Sequence, residues 1–431
     1  MNKPLKYKHR LKALLKEASG RIGVPKFLGA NVDSGSWRSM AGVLGRCAIM
    51  PRLFHKRPLP IEDALFDVVD VFSGCGGTSA GFAGISQLAP FYRLAGAIEI
   101  DADANMSYLK NFGVKPLQHS VALLARDRNA LKNLPAVMGL RPGHPLVLIG
   151  CAPCQGFSAH RKKDNRIDSR NSLVKDFAVL AAALKPEVIV MENVPELLTG
   201  KHRPLFDAAE RLFRKEGYVV KAKVVNMAEF GLPQKRMRAI ALAFRVPFEM
   251  PVGFLRPDQF VTVKETIGSL PKVEAGEICS TDPMHVTARH RKSTIAVIKR
   301  VPKDGGSRPK GIGPKCLDKV KGFSDVYGRL RWNQPAVTIT GYARNPASGR
   351  YVHPEQNRGL SIREAALLQG FPKWYEFLGA FDDRYSQIGN AVPPLFATHI
   401  AAHILGELAT VESGFDRVPN EAKIEESFTY A

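Results

Sequence analysis

The sequence predicts a doubly wound α/β domain built on a mainly parallel sheet, interrupted by a second, smaller and irregular domain. Two observations carry this expectation. Near-continuous apolar runs, VVDVF (Val68 to Phe72), LVLIG (Leu146 to Gly150), VIVMENV (Val188 to Val194) and RAIALAF (Arg238 to Phe244), alternate with helix-length segments. Strands covered on both faces by crossover helices read this way. From about Arg245 to Trp332 the alternation fails: Gly, Pro, Lys and Arg dominate, and 17 basic against 9 acidic residues leave +8.

Taken in order, residues 1–60 read as a basic N-terminal extension. Leu11, Leu14, Leu15 and Ala18 share one face of a short helix, and a Gly/Ser/Arg-rich stretch follows. Thirteen Lys or Arg against Glu17 and Asp33 give this segment +11, half of the +22 of the whole chain. A grip on a polyanion and a merely solvated arm are both open readings of it. Residues 61–244 hold the strand–helix alternation, 245–333 the irregular domain, and 334–411 the return of the first domain. In the last of these, AVTIT (Ala336 to Thr340) resumes the β-branched pattern and SIREAALLQ (Ser361 to Gln369) reads as a helix. A long apolar helix from about Pro394 is expected to pack back on the sheet. Residues 412–431 form a mildly acidic, loose tail.

Apolar residues at 45% and charged residues at 24% of 431 are ordinary globular values, which excludes a collagen-like or disordered chain. The excess positive charge draws polyanions, nucleic acid first. No run approaches the ~20 apolar residues of a membrane span. Six cysteines make no disulfide framework in a chain of this length. A cytoplasmic, nucleoid-associated monomer without membrane contact is expected.

FDVVDVFSGCGGTSAGF (Phe66 to Phe82) reads as a strand, a glycine-rich turn and a helix start, which presents free backbone N–H groups to a polar ligand. GAIEID then ends a second strand in Glu99, where an acid can accept from a ribose hydroxyl pair. Together they point to a ribose-bearing cofactor, against the plainer reading of a structural turn and a solvated acid. LVLIGCAPCQGFSAHR (Leu146 to Arg161) ends a strand in Cys151, Pro153 and Cys154 and runs into a polar, basic loop reaching about Arg170. Zinc is one rival use of Cys151 and Cys154, but no second closely spaced Cys/His pair accompanies them, so no metal is expected. A thioredoxin-like pair is another, yet it normally opens a helix, whereas Gly and Ser follow Cys154. A lone nucleophilic thiolate at Cys154 is preferred.

PEVIVMENVPELL (Pro186 to Leu198) ends the next strand in Glu192 and Asn193. If these strands are neighbours, a carboxyl group faces the thiolate and can assist it; taken singly, Glu192 could be a helix cap. GLPQKRMRAIALAF places Gln234, Arg236 and Arg238 at alternate positions entering a strand, all on one face. That face is either a solvated edge or a source of fixed cations for phosphate or a base carbonyl.

On these residues the sequence resembles the cytosine-carbon-5 DNA methyltransferase family, over about Phe66 to Thr410. Six pieces stand in the family's order: DVFSGCGGTSAGF, Pro153-Cys154-Gln155, Glu192-Asn193-Val194, QKRMR, REAALLQGFP (Arg363 to Pro372) and QIGNAVPP (Gln387 to Pro394). The resemblance implies a Rossmann-like S-adenosylmethionine-dependent methyltransferase fold. Its catalytic and cofactor-binding parts would be 61–244 and 334–411, and its target-recognition domain 245–333. It implies that Phe72, Gly74 and Gly76 hold S-adenosylmethionine, with Glu99 on the ribose, Ile100 and Pro153 near the adenine or the sulfonium side, and Asn390 and Val392 closing the pocket. It implies a catalytic set of Cys154, Gln155, Glu192, Asn193, Arg236 and Arg238. Cys154 would be the nucleophile, Glu192 the partner of the cytosine's ring nitrogen 3 and amino group, and Arg238 the contact to its carbonyl. Arg236 and Arg170 would brace the loop and phosphates, and Ser158, Arg170 and Gln234 would meet DNA. In the recognition domain, Arg289, Arg291, Lys292, Lys299 and Arg300 are the candidate phosphate or base contacts. The family's usual Asp-Ile pair, whose acid contacts the adenine amino group, is replaced here by LQHSVALL, with Ser120 in its place.

The activity so implied is methylation at carbon 5 of a flipped-out cytosine in a specific duplex sequence, through a covalent Cys154 adduct. Its partners would be double-stranded DNA and either a cognate restriction nuclease or defence proteins encoded nearby. The rivals are a tRNA cytosine-5 methyltransferase and a catalytically silent nucleic-acid-binding protein on the same scaffold. A nicotinamide dehydrogenase explains neither the Pro153-Cys154-Gln155 loop nor QIGNAVPP.

Overall fold

The computed structural model describes residues 7–22, 37–48, 57–58, 60–153, 172–319 and 325–411. Two helices come first, α1 (Lys8–Ile22) and α2 (Trp37–Ala48). The chain then runs β1 (Phe66–Val71), α3 (Gly77–Ile85), β2 (Tyr92–Ile98), α4 (Ala102–Phe112), α5 (Val121–Leu124), α6 (Arg128–Val137), β3 (Leu146–Gly150), α7 (Leu173–Leu184) and β4 (Val188–Asn193). Next are α8 (Arg203–Lys215), β5 (Val219–Asn226) and β6 (Met237–Phe244). An irregular stretch follows with α9 (Val263–Ile267), β7 (Ile278–Cys279), β8 (Asp282–Val286), α10 (Lys292–Lys299) and α11 (Cys316–Lys319). The C-terminal part holds α12 (Ile362–Leu368), α13 (Phe381–Asn390) and α14 (Pro394–Thr410).

Six of the strands form one sheet in the order β2-β1-β3-β4-β6-β5, and β7 and β8 pair antiparallel in a second. β2, β1, β3 and β4 are parallel, while β6 runs antiparallel to both β4 and β5. Alternate residues serve opposite faces. Val68, Val147, Ile149, Val188, Val190 and Leu242 share a core with α3 and α14, whereas Val69, Val71, Leu148, Ile189, Met191 and Ala243 share one with α7 and α8. Burial on both faces is why these strands read as near-continuous apolar runs. Because β2 and β3 lie on opposite sides of β1, the topological switch point falls between β1 and β3, and their carboxyl ends open into a crevice.

Two elements differ from the sequence reading. AVTIT forms no strand: it makes a single parallel bridge, Gln234 to Ala336, and the Ile339 N–H donates to the Gln234 side chain instead of to a ladder. β5 was hidden in the sequence because it is an edge strand whose residues are mostly half-exposed, including Lys221 and Lys223.

The two N-terminal helices are built into the domain. Leu11, Leu14, Leu15 and Ala18 of α1 and Ala41 and Leu44 of α2 join the same core as α14. The approach of α2 to α14 is close enough that a Cβ on Gly406 would lie 2.9 Å from Ala41 Cβ and 3.1 Å from Arg38 Cα. Arg38 reaches a Glu407 side chain that is 1% exposed, with Nε 2.8 Å from Oε1 and Nη2 donating to Oε2 at 2.9 Å. Tyr7 packs edge-on against Phe66, and Arg21 donates to the Leu88 carbonyl (3.2 Å). α1 therefore lies by the amino ends of β1 and β2, away from the crevice. Much of the extension's described charge is engaged there: Arg10 pairs with Asp63, Arg21 with Glu17, and Lys12 and Lys16 lie over the Trp37 ring.

The irregular stretch enters and leaves through a neck, where the N–H groups of Val263 and Lys264 donate to the carbonyls of Gln334 (2.9 Å) and Trp332 (3.0 Å). Beyond the neck, Ile298, Val301, Val326 and Tyr327 make a small separate core together with Val352 from the chain after the neck. Arg329 is buried beside it and donates to the carbonyls of Ile298, Val301, His353 and Gln356 and to Asn357 Oδ1. No helix among the described residues is long and apolar enough to cross a membrane.

Candidate active site

The glycine-rich turn after β1 adopts left-handed backbone at Phe72 (φ 58°), Gly74 (φ 52°) and Gly76 (φ 95°). A bulky residue in that region is strained, and such strain persists where the surroundings hold it for a purpose. Gly74 N–H donates to Glu99 Oε2 (2.9 Å), and Glu99 Oε1 accepts from the N–H groups of Ile100 (2.7 Å) and Asp101 (2.9 Å). The acid at the end of β2 thus ties both loops together and keeps part of its acceptor capacity. Asn105 of α4 donates to the Glu99 carbonyl (3.1 Å). At the start of α3, a Cβ on Gly77 would lie 2.2 Å from the Val392 carbonyl oxygen. The C-terminal motif therefore closes directly on the turn, with Val392 buried and Asn390 exposed at its rim.

These residues fit S-adenosylmethionine. Ser73 Oγ is buried in the turn without a hydrogen-bond partner, Phe72 is half-buried, and Ile100 is an exposed apolar side chain beside Glu99. The cradle combines an unsatisfied hydroxyl, a carboxylate with remaining capacity and two apolar surfaces, as a ligand with a ribose, a base and an amino acid moiety requires. Ser120 stands at the N-cap of α5 without making a side-chain capping bond.

β3 and β4 are neighbours, which meets the condition left open by the sequence, and they bring the second group of residues to the same end of the sheet. Glu192, at the end of β4, faces Arg238 of β6, with Nε 3.1 Å from Oε1. The approach is not aligned as a hydrogen bond, so Oε1 stays available to a further partner. Asn193 is buried and donates to the Ala152 carbonyl (3.0 Å), while its Oδ1 accepts from Val194 N–H (2.9 Å). This amide ties the end of β4 to the segment that carries Pro153. Cys154, Gln155, Ser158 and Arg170 lie outside the described residues, as does the tail from Glu412. Cys151 sits 3.9 Å from Thr78 Oγ1; burial, and then the charges of Glu192 and Asp70, push its thiol well up, which makes it a poor nucleophile.

Two expectations are corrected. Gln234, expected to meet DNA, is 0% exposed; its Nε2 donates to the Leu368 carbonyl (3.1 Å) and Gln369 Oε1 (2.8 Å), and its Oε1 accepts from Ile339 N–H (2.9 Å). All of its polar capacity knits β6 to the C-terminal part. Arg236 is also buried, donating to the carbonyls of Ile339 (3.1 Å) and Gly389 (3.2 Å), so it is a brace, as expected, but of the C-terminal part, and its guanidinium presents no exposed face to a phosphate. The alternation was right, but the face it selected turns inward. Lys235 and Met237 occupy the outward face, and the sequence reading passed over them. It also missed Ser73 and Asn105, whose roles depend on a fold contact. Arg289, Arg291, Lys292, Lys299 and Arg300 are all exposed.

The chain matches the family model described as C-5 cytosine-specific DNA methylase over residues 66–406. It is 33% identical over 349 residues to Type II methylase M.HgiDII of Herpetosiphon aurantiacus, covering 78% of this chain and 94% of that one. It is 35% identical over 339 residues to Type II methyltransferase M1.HphI of Haemophilus parahaemolyticus, covering 78% and 86%. Among solved structures, a putative DNA modification methyltransferase encoded within an E. coli prophage shares the fold. That likeness has a TM-score of 0.60 at 24% identity, over 79% of this chain and 98% of the other.

Proposed function

We propose, given that this chain belongs to the family of C-5 cytosine-specific DNA methylases, that it acts on a flipped-out cytosine in a specific duplex sequence through a covalent adduct with Cys154. The observation that carries this reading is the placement of Glu192. Its carboxylate is held by Arg238 at the end of β4, beside a chain segment that Asn193 fastens at Ala152, two residues before Cys154. When bound, S-adenosylmethionine supplies the sulfonium methyl that carbon 5 takes; Phe72, Ser73, Glu99, Ile100 and Val392 would hold it.

The remaining chemistry belongs to the chain. Carbon 5 of cytosine is a poor nucleophile until the Cys154 thiolate adds to carbon 6, and Glu192, holding a proton at ring nitrogen 3, lowers the barrier to that addition. Arg238 steadies the Glu192 carboxylate and would contact the ring carbonyl. Loss of the carbon-5 proton to a base and expulsion of Cys154 then restore the aromatic ring. Inside a duplex the carbon-6 face is stacked, so the base must leave the helix, at a cost of about a few kcal/mol. The exposed basic side chains from Arg289 to Arg300 would offset that cost through phosphate contacts. The relatives' names as Type II methylases support a role in restriction–modification, with a cognate nuclease as genetic partner.

The test is nucleoside mass spectrometry on unmethylated duplex DNA incubated with the protein and S-adenosylmethionine, beside a Cys154→Ala control. Formation of 5-methylcytosine by the wild type alone is expected, and bisulfite sequencing then reads the target. Methyl transfer to tRNA and not to DNA, or undiminished transfer by the Cys154→Ala protein, would overturn the reading.

A further inference from the structure

We propose that Tyr342 is a positioning residue whose ring stacks on the nucleobase beside the vacated position, holding the target cytosine out of the helix. The placement comes from the segment preceding it. Residues 336–340 run parallel to 234–238: Gln234 bridges Ala336, Lys235 N–H donates to the Ala336 carbonyl (2.9 Å), and Thr338 Oγ1 donates to the Lys235 carbonyl (2.9 Å). Arg236 Nη1 donates to the Ile339 carbonyl (3.1 Å). The chain therefore turns away at the level of Arg238, which faces Glu192, and Tyr342 lies two residues beyond.

The backbone there is fixed while the side chain is not. Gly341 is pressed against α13, where a Cβ on Gly389 would lie 2.1 Å from Gly341 N. Tyr342 N–H donates to Thr340 Oγ1 (3.3 Å), its carbonyl accepts from Asn345 N–H (2.9 Å) and Ser348 Oγ (2.8 Å), and Arg344 pairs with Asp382 at 2.6 Å. On this rigid support the Tyr342 side chain is 73% exposed, more than any other aromatic among the described residues. Met237, 47% exposed, and the exposed Lys235 stand on the outward face of the adjoining segment. An exposed aromatic face, following a segment that runs beside one with an exposed apolar side chain and a cation, suits a nucleic-acid stacking surface. A buried aromatic would have been the ordinary use of such a residue.

Tyr342 acts in this way only if the chain methylates duplex DNA as proposed above, so every arm uses the duplex sequence that the wild-type protein methylates. Single-turnover transfer by the Tyr342→Ala protein is expected to fall about 5- to 150-fold, the worth of one base–aromatic stack. Tyr342→Phe should keep most of the rate, and the affinity of Tyr342→Ala for S-adenosylmethionine should match that of the wild type. A duplex whose target cytosine is mispaired, and so already poorly stacked, should restore most of the lost rate. With 2-aminopurine at the target position, the fluorescence rise on binding should shrink in Tyr342→Ala. An unchanged rate and fluorescence rise, or a loss that the mispaired duplex does not restore, would overturn the assignment. Failure of the wild type to methylate DNA would instead overturn the function on which it depends.

Discussion

Replacing Arg38 with Ala tests whether the N-terminal helices are part of the folded domain. Glu407 is 1% exposed, and its carboxylate has two contacts from Arg38 and one hydrogen bond from Glu249 N–H (3.0 Å). Removing one partner of a buried pair costs about 3–5 kcal/mol, mostly from the charge left behind. Arg38 is itself 46% exposed and Glu249 N–H remains, which places the loss at the low end, about 3 kcal/mol. Glu407→Gln in the Arg38→Ala background removes the stranded charge and should recover at least ~1 kcal/mol, a coupling typical of contacting residues. The measurement is the urea midpoint of the wild type, both single variants and the double variant, at equal denaturant slopes. S-adenosylmethionine affinity should stay constant, because Arg38 meets Glu407 near the far end of α14 (Pro394–Thr410), whereas the crevice is closed by Val392 before its start. An Arg38→Ala protein within ~0.5 kcal/mol of wild type, the scale of ordinary surface substitutions, would refute the reasoning.

Two other perturbations bear on the cofactor crevice. Gly77→Ala would put a Cβ 2.2 Å from the Val392 carbonyl oxygen, a backbone atom that must move. At about 1–3 kcal/mol for overpacking, S-adenosylmethionine affinity measured by calorimetry should weaken about tenfold, and unchanged affinity would contradict the closure of the C-terminal motif on the turn. Asp70 is buried, and its carboxyl is pushed up to about 7 by burial, against the hydrogen bond from Ser79 Oγ (2.7 Å) and with help from the charge of Glu99. A carboxyl raised in the fold contributes stability that is present at pH 4 and lost as pH rises through about 7. The stability of Asp70→Asn relative to wild type should therefore climb from pH 4 to about 7 and level off above it. A difference that does not vary with pH in urea titrations would rule this out.

What the sequence discloses depends on where the physics is local. β1, β3 and β4 are legible because both of their faces are buried, so nearly every position is apolar, the exceptions being Asp67 and Asp70 in β1 and Glu192 and Asn193 at the end of β4. β5 is not, because a sheet edge tolerates Lys221 and Lys223 and breaks the pattern. AVTIT has strand composition, but the Gln234 side chain takes the N–H of Ile339 that a strand would have offered to a neighbour. At QKRMR the alternation was visible, yet period two cannot tell the inward face from the outward one. Gln234 and Arg236 thus turned out to be braces, with Lys235 and Met237 left outside. The apolar face of α1 was plain, but its partner was not: Leu11, Leu14, Leu15 and Ala18 share a core with α14, and Arg38 of α2 pairs with Glu407, 369 positions away, so nothing local links them. In the crevice, Glu99 and Glu192 could be placed because both end strands, whereas the unpartnered hydroxyl of Ser73 is a property of the folded turn alone.

The neck formed by Val263, Lys264, Trp332 and Gln334 has an evolutionary consequence. The chain between these residues is a closed loop whose ends are already held together, so its length enters the free energy only logarithmically, about 0.6 kcal/mol per doubling. Its interior is packed partly from within, by Ile298, Val301, Val326 and Tyr327, and partly on the chain just after the neck, through Val352 and the carbonyls of His353 and Gln356 that Arg329 reaches. Such an insert can lengthen or shorten between relatives at little cost to the sheet, but exchanging it whole would also require a matching surface at Val352, His353 and Gln356.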